Sequence, residues 1–188
     1  SAIDNSLLYN SALTTVPSFK TQFPAGSLST QLLNVAKTIA IRSGLSSQKQ
    51  IFFVSLNGFD THTNQLSQQA SLLKQLSQSL FAFYSALDEL GMTNNVVTFT
   101  MSDFARTFQP NVNGGSDHGW GNHQLILGGN VKGGDFYGQF PNLKLAGIND
   151  SGNQGRWIPT TSVDQYAATL SFWFGISDSR IQSIFPNL

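Results

Sequence analysis

Apolar residues recur at intervals of three and four along three segments of the chain, and each segment is predicted to form an amphipathic helix. The segments are residues 30–42, 64–90 and 162–175. Gly91 follows the second segment, where a glycine can adopt the left-handed backbone conformation that commonly ends a helix. Ser162 and Gln165 open the third segment with the spacing of a capping box.

Two further segments, residues 50–56 and 95–101, are short and nearly continuous apolar runs rich in β-branched and aromatic residues. Runs of this kind are typical of strands that are buried on both faces. A strand, a long helix and a second strand together form a right-handed βαβ unit with parallel strands. We therefore predict an α/β fold in which the loops after the two strands lie at the same carboxyl edge of a sheet.

Length and composition indicate one domain with a substantial core. A chain of 188 residues buries about two-thirds of its unfolded surface. Its 15 Phe, 4 Tyr and 3 Trp supply large side chains for packing. We predict a single domain over residues 1–188, in which residues 1–28 are an irregular lead-in with at most one short helix.

Charge and cysteine content exclude several classes of partner and site. Ten basic residues balance ten acidic ones without a run of Lys or Arg, so neither nucleic acid nor an anionic membrane surface is expected as a partner. No apolar stretch is long enough for a membrane span, and no leader with basic and then apolar residues opens the chain, so neither a span nor a retained signal peptide is predicted. The absence of cysteine excludes disulfides, thiolate metal ligands and a cysteine nucleophile.

Two polar loops carry the candidate chemistry, and each follows one of the predicted strands. The first loop, residues 57–62, contains Asp60 and His62. The second, residues 102–123, contains the other two histidines of the chain. Its candidate residues are Asp103, Arg106, Asn111, Asp117, His118 and His123. Because both loops are predicted at one edge of the sheet, we expect the candidates of the two loops to meet.

Carboxylate and imidazole groups without thiolates form ligand sets for divalent ions such as Zn²⁺ or Mn²⁺, and for Mg²⁺ or Ca²⁺ where oxygen ligands dominate. We predict one or two divalent ions, with ligands drawn from Asp60, His62, Asp103, Asp117, His118 and His123. Two ions about 3.5–4 Å apart suit an in-line displacement at phosphorus or sulfur. Arg106 is the candidate clamp for an anionic substrate, and Asn111 is a second candidate for substrate binding.

Plainer interpretations of the same residues stay open. Asp60 and Asp103 follow strands, where short carboxylates commonly accept hydrogen bonds from nearby backbone N–H groups. Arg106 is equally well explained by a salt bridge. The histidines can also recognise an anion or a polysaccharide without a metal. Trp120 and Trp157 can line a sugar site, although packing explains both residues as well.

Several unusual strings occur in a fixed order along the chain: GFDTH, VVTFTMSDFARTFQPN, GGSDHGWGNH, LGGNVKGG, YGQFP, GRWIPTTSVDQY, and the closing WFG and IFPNL. From about residue 28 to the end, this order resembles the C-terminal half of the bacterial family called domain of unknown function 1501. That family is grouped with the alkaline phosphatase and sulfatase superfamily. The resemblance implies a three-layer α/β/α fold with a mainly parallel sheet, of which residues 29–188 form only the C-terminal part.

The resemblance also implies a function. Members of the superfamily transfer or hydrolyse phosphate or sulfate esters with one or two metal ions. The positions that match their ligands are Asp60, His62, Asp103, His118 and His123, with Asp117 as a substitute. Their Ser or Thr nucleophile comes from an N-terminal half that this chain is expected to lack, and Ser102 is not surrounded by the Gly-x-Ser-x-Gly of a serine hydrolase.

The implied protein is the C-terminal portion of an exported hydrolase, periplasmic or secreted, that is inactive as this fragment. Its implied partners are the missing N-terminal half and an anionic ester or carbohydrate of small size. The alternative is a non-catalytic domain that retains the fold and binds a metal, an anion or a carbohydrate. The nucleophile discriminates between the two, because hydrolysis requires one and binding does not.

Overall fold

The structure is a computed structural model that describes residues 9–16, 18–45 and 49–188. The helices are α1 (Ser27–Ala40), α2 (Gln65–Glu89), α3 (Val163–Trp173) and α4 (Asp178–Ile184), and residues 9–13 are also helical. The strands are β1 (Thr98–Phe99), β2 (Ala105–Pro110), β3 (Ser116–Gly119) and β4 (Ile126–Leu127). Within this part of the chain, no helix has the length and apolar character needed to cross a membrane.

The chain divides into two compact units. The helical unit comprises the residues up to Thr100 together with Leu125–Lys132. The hairpin unit comprises Met101–Gln124 and Gly133–Leu188. The two predicted polar loops therefore fall in different units, since residues 57–62 belong to the helical unit and residues 102–123 to the hairpin unit.

Helices α1 and α2 form the core of the helical unit. The buried side chains of this core come from Leu28, Leu32, Ala36 and Ile39 of α1 and from Phe83, Ala86 and Leu87 of α2. They recur at helical spacing, so each helix turns one apolar stripe toward the other. Val54 and Leu56, which precede the first polar loop, also pack against this core. The core thereby holds the start of the loop that carries Asp60 and His62.

All three predicted helices are present. Residues 30–42, 64–90 and 162–175 correspond to α1, α2 and α3, with small shifts at the ends. Gly91 has a φ of 63°, and the bonds from its N–H to Asp88 and from Met92 N–H to Leu87 form a Schellman motif. The capping box of Ser162 and Gln165 is also formed. The short helix α4 near the end of the chain is not among the predicted elements.

The predicted parallel strand pair is not formed by the described residues. Residues 50–56 have no strand, and of residues 95–101 only Thr98–Phe99 are in a strand. This strand, β1, pairs antiparallel with β4. Residues 50–56 have no strand partner among residues 9–16, 18–45 and 49–188, and the backbone of Ser55 is instead hydrogen-bonded by the side chain of Gln31. The chain combines helices and strands as the α/β class requires, but its sheets are small and antiparallel.

Strands β2 and β3 organise the hairpin unit. They pair antiparallel, with Arg106 opposite His118 and an irregularity in register between Arg106 and Pro110. On the other side of β2, the N–H groups of Phe108 and Gln109 donate to the carbonyl oxygens of Gly155 and Gln154. The stretch predicted as a long polar loop is therefore an antiparallel hairpin with a third segment alongside it.

Candidate functional site

Asp60 and His62 form a carboxylate–imidazole pair in the helical unit. The distance from Asp60 Oδ1 to His62 Nε2 is 2.9 Å, and both side chains are about half exposed. Thr61, between them, is buried. The loop therefore displays its carboxylate and its imidazole together on its outer side.

Thr61 anchors this loop to helix α2. Its N–H donates to the carbonyl oxygen of Phe59 at 2.9 Å. Its hydroxyl accepts a hydrogen bond from Gln69 Nε2 at 3.2 Å, and Gln68 Nε2 donates to the carbonyl oxygen of Thr63 at 2.9 Å. Because both glutamines lie near the start of α2, the helix holds the loop in place. Thr61 is not among the predicted site residues, because its role depends on hydrogen bonds that the spacing of the sequence does not reveal.

Arg106 and His118 are cross-strand neighbours in the hairpin unit. The ring of Phe104 stacks on His118 with 3.9 Å between centroids, and the Arg106 guanidinium lies 5.8 Å from the Phe104 centroid. Arg106 Nε donates to Ser116 Oγ at 3.2 Å, and its terminal nitrogen donates to the Ser116 carbonyl oxygen. The guanidinium is thus held in place by strand β3 and by an aromatic face, close to His118.

Asn111 and Asp117 lie together at the turn between β2 and β3. Asn111 Oδ1 accepts hydrogen bonds from the N–H groups of Asn113 and Gly115, at 2.9 and 3.1 Å. Asn111 Nδ2 donates to Asp117 Oδ1 at 3.3 Å, and Asp117 N–H donates to Thr107 Oγ1 at 3.0 Å. Asn111 therefore closes the turn, and its contact with a substrate stays a prediction.

Asp103 and His123 also belong to the hairpin unit, but they lie outside its helices and strands. Asp103 is exposed in the bend before β2. His123 is also exposed, and its ring stacks on Phe140 at 5.3 Å and meets the edge of Phe136 at 6.4 Å. Both phenylalanines are exposed, so His123 belongs to an aromatic cluster at the surface.

The structure brings together some of the predicted site residues within each unit. In the helical unit it pairs Asp60 with His62. In the hairpin unit it sets Arg106 opposite His118 and joins Asn111 to Asp117. The convergence of the two loops on one site stays a prediction.

Asp150 is a buried carboxylate in the hairpin unit and is not among the predicted site residues. It accepts hydrogen bonds from the N–H groups of Ala146, Gly155 and Arg156, at 3.0, 3.0 and 2.9 Å. Burial opposes ionisation, but these three donors and the charge of Arg156 outweigh it, so the pKa of Asp150 is lowered. Arg156 Nε in turn donates to the backbone carbonyl oxygen of His118 at 3.1 Å. Asp150 thus stabilises the segment that supports the strand of His118.

Comparison with known proteins identifies one family. A family model described as "Protein of unknown function (DUF1501)" matches residues 18–155, which is most of the chain. The match begins before residue 28, where the resemblance starts, and ends at the first residue of the string GRWIPTTSVDQY. No curated protein and no solved structure is significantly similar to the chain.

Proposed function

Because the chain belongs to the DUF1501 family, whose name assigns no activity, we propose a function from the site and from the resemblance. The chain is the C-terminal portion of an exported, metal-dependent hydrolase of phosphate or sulfate esters, and Asp60 and His62 bind its divalent ion. The observation that carries this proposal is the carboxylate–imidazole pair, with 2.9 Å between its oxygen and nitrogen, on the outer side of an anchored loop.

The chemistry of the pair suits a catalytic rather than a structural ion. One oxygen and one nitrogen ligand fit Zn²⁺ or Mn²⁺. The half-exposed side chains of Asp60 and His62 leave room around the ion for water and substrate, and catalytic metal sites keep such open positions. A hydrogen bond between Asp60 and His62 without a metal is the plainer explanation of the same geometry, and metal binding separates the two.

The wider features of the proposal follow from the sequence pattern and the resemblance. The further ligands of the divalent ion are drawn from Asp103, Asp117, His118 and His123. Arg106 binds the anionic group of the ester. The longer parent protein supplies the nucleophile from its N-terminal half and completes a three-layer α/β/α fold with a mainly parallel sheet. A periplasmic or secreted location accords with the absence of cysteine.

Metal binding is expected to depend on both members of the pair. Protein purified without chelator or affinity tag should contain stoichiometric Zn²⁺ or Mn²⁺ by elemental mass spectrometry. Asp60→Asn and His62→Gln should each weaken the affinity of metal-stripped protein for Zn²⁺ at least about 100-fold, since even the partners of metal ligands contribute 10–100-fold. Acidification should release the ion, because an imidazole ligand must be unprotonated to bind. Isothermal titration calorimetry measures both effects.

Asp88→Asn is the matched control, because Asp88 is an exposed carboxylate of α2, outside the loop. It should bind metal as the wild type does. His118→Gln and His123→Gln then test the further ligands by the same titration. A wild type that takes up neither Zn²⁺, Mn²⁺ nor Ca²⁺, or an Asp60→Asn variant of unchanged affinity, would contradict the metal site. Hydrolysis is tested on the longer parent protein with aryl phosphate and aryl sulfate esters.

A second candidate function, carbohydrate binding without catalysis, is favoured by the aromatic cluster around His123. Phe136, Tyr137 and Phe140 are all exposed in this part of the hairpin unit. Exposed apolar groups that cluster mark binding surfaces more often than isolated ones do. Aromatic side chains that are open to solvent can stack on the apolar faces of sugar rings.

Carbohydrate binding, if present, is expected to weaken in Phe140→Ala by up to about tenfold, which corresponds to the roughly 0.5–1.5 kcal/mol of one aromatic contact. Affinity electrophoresis in gels that contain xylan, hydroxyethyl cellulose or laminarin measures this as a loss of retardation. Phe81→Ala is the control, because Phe81 is an exposed phenylalanine of α2 in the other unit. If none of these polysaccharides slows the wild-type protein in the gel, carbohydrate binding loses its support.

A further inference from the structure

Residues 50–56 have the side-chain pattern of a strand but only one covered face. Val54 and Leu56 pack against the core of the helical unit. Ile51 and Phe53 point away from it and are 81% and 91% exposed. Alternation of this kind is the mark of an extended segment, because successive side chains of a strand point to opposite faces. Two large apolar side chains are thus left in solvent on the outer face.

One backbone edge of this segment is blocked at Ser55 and the other is open along its length. Successive residues of a strand direct their N–H and C=O groups to opposite edges. Gln31 bonds both the N–H and the carbonyl oxygen of Ser55, at 3.0 Å each, and so blocks at Ser55 the edge to which residues 51, 53 and 55 point. Among residues 9–16, 18–45 and 49–188, the backbone of residues 50, 52 and 54 has no hydrogen-bond partner. An open strand edge is a template for pairing with another chain.

We propose that this open edge pairs antiparallel with the same edge of a second copy of the chain, with the twofold axis at Phe52. Phe52 then forms a hydrogen-bonded pair with Phe52 of the second copy, and Gln50 pairs with Val54. Ile51 lies opposite Phe53 in the close, non-hydrogen-bonded pairs on either side of the axis, where Cα atoms are about 4.5 Å apart. The two hydrogen bonds between Gln31 and Ser55 stay undisturbed in this register.

The segment is self-complementary in size and charge, which favours a second copy as the partner. Ile51 opposite Phe53 is an aromatic and β-branched pair, a combination that stabilises antiparallel sheets, and symmetry provides it twice. Residues 50–59 carry no charge, and the flanking Lys49 lies opposite Ser55. No like charges therefore oppose each other across the axis. The proposal does not rest on the metal site.

Disulfide trapping tests both the pairing and its register. The chain has no cysteine, so introduced thiols are the only ones. A mixture of Ile51→Cys and Phe53→Cys proteins should form the mixed disulfide dimer several-fold faster than either protein forms a homodimer, because only the mixed pair places the two thiols within bonding distance. Intact mass spectrometry under mild oxidation separates the three products. The control mixture is Val112→Cys with Phe53→Cys, since Val112 is fully exposed in the hairpin unit.

Sedimentation velocity supplies a second measurement that needs no crosslink. The wild type should dimerise reversibly as its concentration rises. Phe53→Lys should raise the dissociation constant of the dimer at least about tenfold, because each of the two copies places a charged side chain in the interface. Val112→Lys should leave it unchanged. Equal disulfide rates in all mixtures, fastest trapping of the Phe53→Cys homodimer, or a wild type that stays monomeric would each overturn the proposal. A monomer would assign the open edge to another polypeptide strand, such as one from the N-terminal half that the proposed function expects to complete the sheet.

Discussion

Leu87→Ala is expected to lower the free energy of unfolding of the helical unit by about 2–5 kcal/mol. Leu87 is 1% exposed and belongs to the cluster in which α2 packs on α1. Its truncation removes buried apolar surface and leaves a cavity that the surrounding side chains fill only in part. Urea denaturation followed by far-UV circular dichroism measures the change, because α1 and α2 contribute much of the helix in the chain.

Leu66→Ala is the matched control for this prediction. Leu66 is the same residue type in the same helix, but it is 90% exposed. Its truncation should change the free energy of unfolding by no more than about 0.5 kcal/mol, as is usual for surface substitutions. Similar losses in the two variants would show that the packing of α1 on α2 does not stabilise the unit, and the described core would then be wrong.

The helices could be predicted from the sequence because their causes are local. The apolar spacing in α2, the glycine that ends it and the capping box of Ser162 all act over a few residues, and the structure contains each of them. Burial then follows from the same spacing, since the positions that recur every three or four residues lie on one face. The predicted bounds of α1 to α3 differ from the observed ones by a few residues only.

The strands could not be predicted in the same way, because a strand depends on a partner that is distant in sequence. The apolar run of residues 50–56 indicates a strand buried on both faces, yet Ile51 and Phe53 remain exposed and the segment has no strand partner in the part of the chain that the structure describes. The hairpin of β2 and β3 had a local signal in the turn Asn113-Gly114-Gly115, since Asn-Gly is a strong turn sequence between strands. The many polar residues around it favoured an irregular loop instead.

The candidate site shows the same division between local and distant causes. Asp60 and His62 are two residues apart in one predicted loop, and they lie in contact. Thr61 and Asp150 act through hydrogen bonds to groups that other segments bring to them. No spacing in the sequence reveals such contacts, although the turn composition of residues 149–152, Asn-Asp-Ser-Gly, suits a carboxylate that accepts backbone N–H groups.

Asp150→Ala is expected to destabilise the hairpin unit, because it leaves the N–H groups of Ala146, Gly155 and Arg156 without their acceptor. The midpoint temperature of unfolding should fall by several degrees in Asp150→Ala. It should fall less in Asp150→Asn, because the amide oxygen of asparagine still accepts hydrogen bonds from these N–H groups. All three tryptophans of the chain lie in the hairpin unit, so tryptophan fluorescence follows the unfolding of this unit alone. Asp135→Asn is the control, since Asp135 is exposed and accepts one backbone N–H, that of Phe136.

The pH dependence of the same variants tests the cause of the effect. The pKa of Asp150 is lowered in the folded chain, so its ionised form stabilises the fold at every pH above the pKa of an unfolded aspartate. This stabilisation is lost as the pH falls through the lower, folded value. Asp150→Asn has no carboxyl group to titrate at this position. The difference in midpoint temperature between this variant and wild type should therefore be largest near neutral pH and should shrink on acidification. A difference that stays constant with pH would show that the shape of the side chain, and not its charge, holds the segment.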